Sequence, residues 1–169
     1  WQDKGFDVSL HVNTNCANWT PAPLPGFCSD QIAGLFSSFP SLSPLRTNRT
    51  HCIAWSDWAT QPKVALQNGI RLDTNYYYWP PEWVASRPGF FTGSGIPMRF
   101  ADVDGSMIDV YQAATQMTDE SGQGYPFTID ALLDKALGAE GYYGAFTANI
   151  HTDGSTESQA AAIVASAKA

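Results

Sequence analysis

Three histidines, His11, His51 and His151, are the residues of this chain best suited to chemistry, because each lies in or beside an apolar, strand-like run. His11 ends the run Phe-Asp-Val-Ser-Leu-His, His51 sits in Arg-Thr-His-Cys-Ile-Ala-Trp, and His151 ends Ala-Phe-Thr-Ala-Asn-Ile-His. In parallel α/β folds the C-terminal strand ends form one face, and ligands bind there. Histidines far apart in sequence can therefore meet. One isolated histidine is most often structural, whereas a set of three at strand ends points to a site. Neutral imidazoles bind zinc or a related divalent metal, which polarises a carbonyl and acidifies water. An imidazolium can instead protonate a leaving amine or alcohol. Asn15 offers either a weak amide-oxygen ligand or a turn after a strand.

Other groups surround this set. Arg49, just before His51, suits a bidentate pair with a carboxylate. Asp57, Asp73, Asp102, Asp104 and Asp109 are carboxylates near the same face, and a glycoside hydrolase would need two of them across a cleft. The run Asp102-Val-Asp104-Gly105 has the start of a calcium loop without its downstream ligands, and reads more simply as a turn. The segment from Tyr76 to Trp83 gathers aromatic residues around Pro80 and Pro81 and cannot continue as a central strand. Tyr78, Trp79 and Trp83, with Trp55, are candidates for stacking on a sugar or for a lid. Cys16, Cys28 and Cys52 match neither a zinc ribbon nor a redox pair. In an exported protein, Cys16 with Cys52 is the first pairing to expect, Cys16 with Cys28 the local alternative, and three thiols the third possibility. Asn18 and Asn48 head formal glycosylation sequons.

The elements that must position these groups alternate. Phe6 to Val12, His51 to Trp55, Ile70 to Tyr78, Ile96 to Val103, Met107 to Tyr111 and Tyr142 to Ile150 read as strands. Ile32, Leu35, Phe36 and Phe39 define a helix that Ser29 or Asp30 caps and Pro40 ends. A second helix, which Thr60 caps, runs to Asn68, with Gly69 at its C-terminal position. A third carries Ile129, Leu132, Leu133 and Leu137 and closes at Gly138, and a last one starts near Ser155. This pattern predicts a mostly parallel sheet covered by helices. Too few strands are visible for a closed barrel.

The totals agree with a single domain of 169 residues that buries a core. A net charge of −7 and no basic cluster exclude nucleic acid and anionic membrane surfaces as expected partners. No run is long enough to span a bilayer. Aromatic residues make up 13% of the chain. Most of them are expected to fill a core, and the rest suit sugar faces.

With these residues in view, the chain resembles the polysaccharide deacetylases, carbohydrate esterases of the NodB-like type, in a divergent branch near those acting on galactosamine-containing exopolysaccharides. Gly5-Phe-Asp-Val-Ser-Leu-His11 matches the family's Gly-to-His strand. Asn15 stands where ordinary members carry a second histidine ligand. Arg49-Thr50-His51 occupies the place of the motif whose arginine braces the catalytic aspartate, with His51 in place of a proline. Ile150-His151 resembles the final motif. The resemblance implies a distorted (β/α) barrel of mostly parallel strands with outer helices. It further implies that the family's Asp-Asp strand belongs to sequence before Trp1, the barrel being incomplete without it. The implied activity is zinc-dependent removal of N-acetyl groups from an amino-sugar polysaccharide by a secreted or cell-surface protein. His11, His51 and Asn15 would hold the metal, His151 would act as the acid and Arg49 would orient the base. The alternatives are a glycoside hydrolase and a non-catalytic carbohydrate-binding domain. The deacetylase reading expects all three histidines in one depression, rimmed by the aromatic segment.

Overall fold

The computed structural model describes residues 1–17, 20–53, 56–75, 96–118, 130, 133–134, 136–139, 141, 145–151 and 157–168. The chain divides into two compact units, Trp1–Asn75 with Met98–Gln112, and Tyr76–Pro97 with Ala113–Ala169.

The first unit is built on a four-stranded sheet of β1 (Thr47–Asn48), β2 (Leu72–Asp73), β3 (Met98–Ala101) and β4 (Met107–Gln112). Their spatial order is β1-β2-β4-β3. The pairs β1/β2 and β2/β4 are parallel, and β3/β4 is antiparallel. Strand β4 alternates in the manner of a half-buried strand, with Ile108 and Val110 inside and Met107, Asp109 and Tyr111 outside. Helices α1 (Leu24–Ser38) and α2 (Thr60–Gln67) cover the inner face. Ile108 and Val110 pack there with Leu45, Ala59, Ala65 and Ile70, and Ile32, Leu35 and Phe36 of α1 close over them. Val12, Leu24, Cys28 and Val64 form a second apolar cluster.

Two helix starts differ from expectation. Helix α1 begins at Leu24, not near Ser29. Proline is tolerated in a first helical turn, and burying Leu24 and Cys28 one turn apart favours extending the helix through Pro25 and Gly26. Phe39 lies beyond the helix end and is 58% exposed, so it does not share the apolar face. Thr60 starts α2 inside its first turn, while the carboxylate of Asp57 accepts both the Thr60 amide (2.8 Å) and hydroxyl (2.9 Å). Gly69, at φ 77°, ends that helix as expected.

Two expected strands are not strands. From Leu10 to Thr14 the side chains alternate inward and outward, but the expected strand from Phe6 to Val12 joins no ladder. Isolated bonds hold it instead, from Ser9 Oγ to the Thr47 carbonyl, from Thr47 Oγ1 to Asp7, and from the His51 amide to the Val12 carbonyl (2.7 Å). Gln31 of α1 also brackets Asn13, accepting from its amide and donating to its carbonyl. The second case is His51–Ile53, which forms a 3₁₀ turn with Cys52 at φ 56°. A left-handed residue cannot sit in a pleated strand, so the expected strand does not form over His51–Ile53.

In the second unit β5 (Thr115–Thr118), not anticipated from the sequence, pairs in parallel with β6 (Thr147–Asn149). Helix α3 (Glu157–Lys168) buries Ile163. Residues 130, 133–134 and 136–137 are helical, and the amide of Gly138 donates to the Asp134 carbonyl. Leu137 is 85% exposed and does not belong to an apolar face. Among the described residues the chain is therefore a mixed α/β protein with a small, mostly parallel and open sheet. A closed (β/α) barrel is not formed by these strands.

Candidate functional site

Beyond β1 the chain delivers Arg49, Thr50 and His51, while the extended segment beside it delivers His11. The hydrogen bond that the His51 amide donates to the Val12 carbonyl holds the two segments together and brings both imidazoles to one place. Their ring centroids are 5.3 Å apart and nearly perpendicular, and Nδ1 of His51 lies 3.3 Å from Nε2 of His11. Nδ1 of His11 is 2.9 Å from the Arg49 carbonyl, an acceptor only, so this nitrogen carries the proton. In the neutral ring the Nε2 facing His51 is then the unprotonated nitrogen. Backbone carbonyls orient metal-ligating histidines in this way.

A hydrogen bond from Nδ1 of His51 accounts for the contact between the two rings, and its length also falls in the range of two nitrogens on one metal ion. Two nitrogens bound tetrahedrally to one zinc at about 2.0–2.1 Å lie about 3.3–3.4 Å from each other. Cys16, His51 and Cys52 also offer ligand atoms within 4.8 Å of one another, all on exposed residues. Here Cys16 and Cys52 form a disulfide, the pairing expected first, with Cα atoms 5.4 Å apart. Cys28 stays a thiol, and burial pushes its pKa up to about 11. Asn15, at φ 57°, donates its amide to Oδ1 of Asn13, so its backbone forms the turn.

Beneath His51 lies a buried polar cluster that reading the sequence missed. Asp73, at the end of β2 and fully buried, accepts from Nδ2 of Asn48 (2.9 Å), Nδ2 of Asn75 (2.8 Å) and the Asn75 amide (2.9 Å). Oδ1 of Asn75 in turn accepts the amide of Thr50 at 2.6 Å, and Nδ2 of Asn75 donates to the Thr50 hydroxyl at 3.0 Å. Gln61 of α2 donates to the same hydroxyl, and its Oε1 has no hydrogen-bond partner among the described residues. Desolvation pushes the pKa of Asp73 up to about 6, against the pull of these donors and of the Arg49 charge. Arg49 itself donates to the Thr74 carbonyl at 2.8 Å. A signal was present in the pattern Asn48-x-Thr50 and Asp73-x-Asn75, which begins at the last residue of each of two neighbouring parallel strands. The first of these reads as a glycosylation sequon, yet Asn48 is 2% exposed with its amide nitrogen committed to Asp73, which leaves no acceptor for a glycan in the folded state.

The other aspartates are engaged structurally. For Asp57 the cost of desolvation is outweighed by the Thr60 bonds, which hold its carboxyl below the usual range. Asp102 pairs with Lys63, which lowers its pKa, and with Asp104 it shapes the turn closed by Gly105 at φ 86°. Asp109 lies between Arg71 and Arg99 on the outer sheet face.

His151, half-buried, follows β6 in the second unit. Asn18 and the candidate stacking residues Trp55, Tyr78, Trp79 and Trp83 lie outside the described residues. No family model, curated protein or solved structure significantly matches this chain. No helix among the described residues is long and apolar enough to cross a membrane. The disulfide is consistent with an extracellular protein.

Proposed function

We propose that this chain is a divalent-metal-dependent hydrolase, secreted or cell-surface, that removes N-acetyl groups from an amino-sugar polysaccharide. The observation that carries the metal is the 3.3 Å approach of the His51 and His11 ring nitrogens, with the other nitrogen of His11 tied to a carbonyl. The substrate class comes from the resemblance in the Gly5–His11, Arg49–His51 and Ile150–His151 motifs. His11 and His51 would hold the ion, taken to be zinc from their nitrogen donors, and Asn15 remains a third candidate ligand. When bound, such an ion polarises a carbonyl and acidifies water.

The remaining work falls to the chain. Arg49 orients His11 through its carbonyl and sets its own charge near Asp73. Asp73 is too deeply buried to touch a polysaccharide, so it serves as a positioning residue, holding Thr50 and hence His51 through Asn75. His151 would donate a proton to the departing amine.

The test is acetate release from an N-acetylated hexosamine oligosaccharide by the full-length protein supplied with zinc. His51→Ala should lose both zinc and acetate release, and His151→Ala should lose acetate release while keeping zinc. Oligosaccharide shortened without acetate release would replace this reading with a glycosidase, and zinc content unchanged in both His11→Ala and His51→Ala would remove the metal centre.

A further inference from the structure

The disulfide stands against His51, so the same few atoms admit two different states. We infer that reduction of Cys16–Cys52 converts this locus into a thiolate–imidazole zinc site made by Cys16, Cys52 and His51. The inference rests partly on reading His51 as a metal ligand, and adds a second, tighter mode of binding controlled by redox state.

Three observations carry it. First, the sulfurs of Cys16 and Cys52 and a ring nitrogen of His51 lie within 4.8 Å of one another. Two cysteines with one histidine and an open fourth position are a known zinc set. Second, little movement is needed. Sulfurs bound to one zinc at about 2.3 Å lie about 3.8 Å apart, against about 2.05 Å in a disulfide. The extra separation is shared by two exposed side chains whose Cα atoms, 5.4 Å apart, can stay in place. Third, the locus is conformationally held. The non-glycine residues with positive φ among those described, Asn15, Cys16 and Cys52, all fall here. Such backbone persists where its surroundings fix it, and it gathers at functional sites.

The chemistry balances with a dithiol as reductant. The disulfide takes up two electrons and two protons as the dithiol closes to its own disulfide. Zinc then binds the two thiols as thiolates and releases two protons. Soft thiolates raise zinc affinity well above that of an imidazole pair.

Cobalt(II), which absorbs characteristically when thiolates bind it, reports the difference. Whole protein is titrated with Co2+ and then Zn2+, first oxidised, then after dithiothreitol treatment and anaerobic removal of the reagent. The expected result is a thiolate-to-cobalt charge-transfer band in the reduced protein alone. Zinc should bind it at least about 100-fold tighter than the oxidised protein. Cys52→Ser should abolish the band, His51→Ala should weaken binding about 10-fold or more, and Cys28→Ser should change nothing. Circular dichroism follows folding in parallel, and a reduced chain that loosens should refold when zinc is added. No band on reduction, equal affinity in the two states, a band that requires Cys28, or a loosened chain that zinc does not refold would each overturn the inference. Cobalt binding to the oxidised protein, lost in His11→Ala, tests the imidazole pair separately. Its failure alongside a band in the reduced protein would sink the hydrolase reading and leave the thiolate site standing.

Discussion

Asp73 carries a pH dependence whose sign can be worked out. Burial raises its folded pKa from 3.8 to about 6, so the folded state binds the proton more tightly than the unfolded chain does. The stabilisation from this proton is complete below about pH 4 and is lost as pH rises through about 6. Asp73→Asn cannot titrate, and it turns an amide toward the donors of Asn48 and Asn75. The variant should be less stable than the parent throughout, by a margin that narrows between pH 4 and 6 as the parent loses its proton-linked share. Urea unfolding at pH 4, 5, 6 and 7 measures this, and a margin constant across that range would remove the linkage from Asp73. The meeting of His11 and His51 was suggested by two histidines in or beside apolar runs, although the strand expected from His51 is a 3₁₀ turn over His51–Ile53. The Asn75–Thr50 contact was not, because it depends on the register of β1 against β2, which side-chain type alone does not encode.

Elements were legible where local chemistry decides them. Gly69 ends α2 in the left-handed region, with open space around its absent side chain. Gly69→Ala therefore meets a backbone penalty and no clash, and should lower stability by about 1 kcal/mol. Thermal or denaturant unfolding checks this, and an unchanged midpoint would mean the helix end relaxes. Where packing decides, the reading slipped. Pro-Leu-Pro-Gly reads locally as a loop, and burial of Leu24 makes it the first turn of α1. Phe6 to Val12 has the period of a strand, yet strand identity needs a continuous ladder that this segment does not find. Strands β1 and β2 keep two residues each because the next positions are given over to the buried polar cluster.

At the scale of the whole chain the Cys16–Cys52 link closes a loop of 36 residues containing all of α1. Chain-entropy arguments put the stabilisation from a loop of that length at about 4 kcal/mol. Paired Cys16→Ser and Cys52→Ser substitutions should lower the unfolding free energy by a few kcal/mol, and should do so equally with or without dithiothreitol. A loss below about 1 kcal/mol would mean that the bonds from Gln31 and the Val12 carbonyl already confine the segment. The alternation of strands and helices in the sequence does give a mostly parallel sheet. What composition and periodicity could not reveal is that these strands leave it open, since closure depends on how many strands pair and in what order.

That order has a consequence for the chain as it leaves the ribosome. Strand β4 lies between β2 and β3 in space but comes last of the four in sequence. The parallel pair β1/β2 can form early, yet Ile70 and Leu45 lack the Ile108 and Val110 that cover them until residue 112 has emerged. For several seconds of synthesis, at roughly 5–20 residues per second, the first unit has its helices and edge strands without its longest strand. Its apolar inner face is open throughout that interval. Completion waits for the β3–β4 hairpin, whose Asp102–Gly105 turn brings two neighbouring strands together with little loop to close.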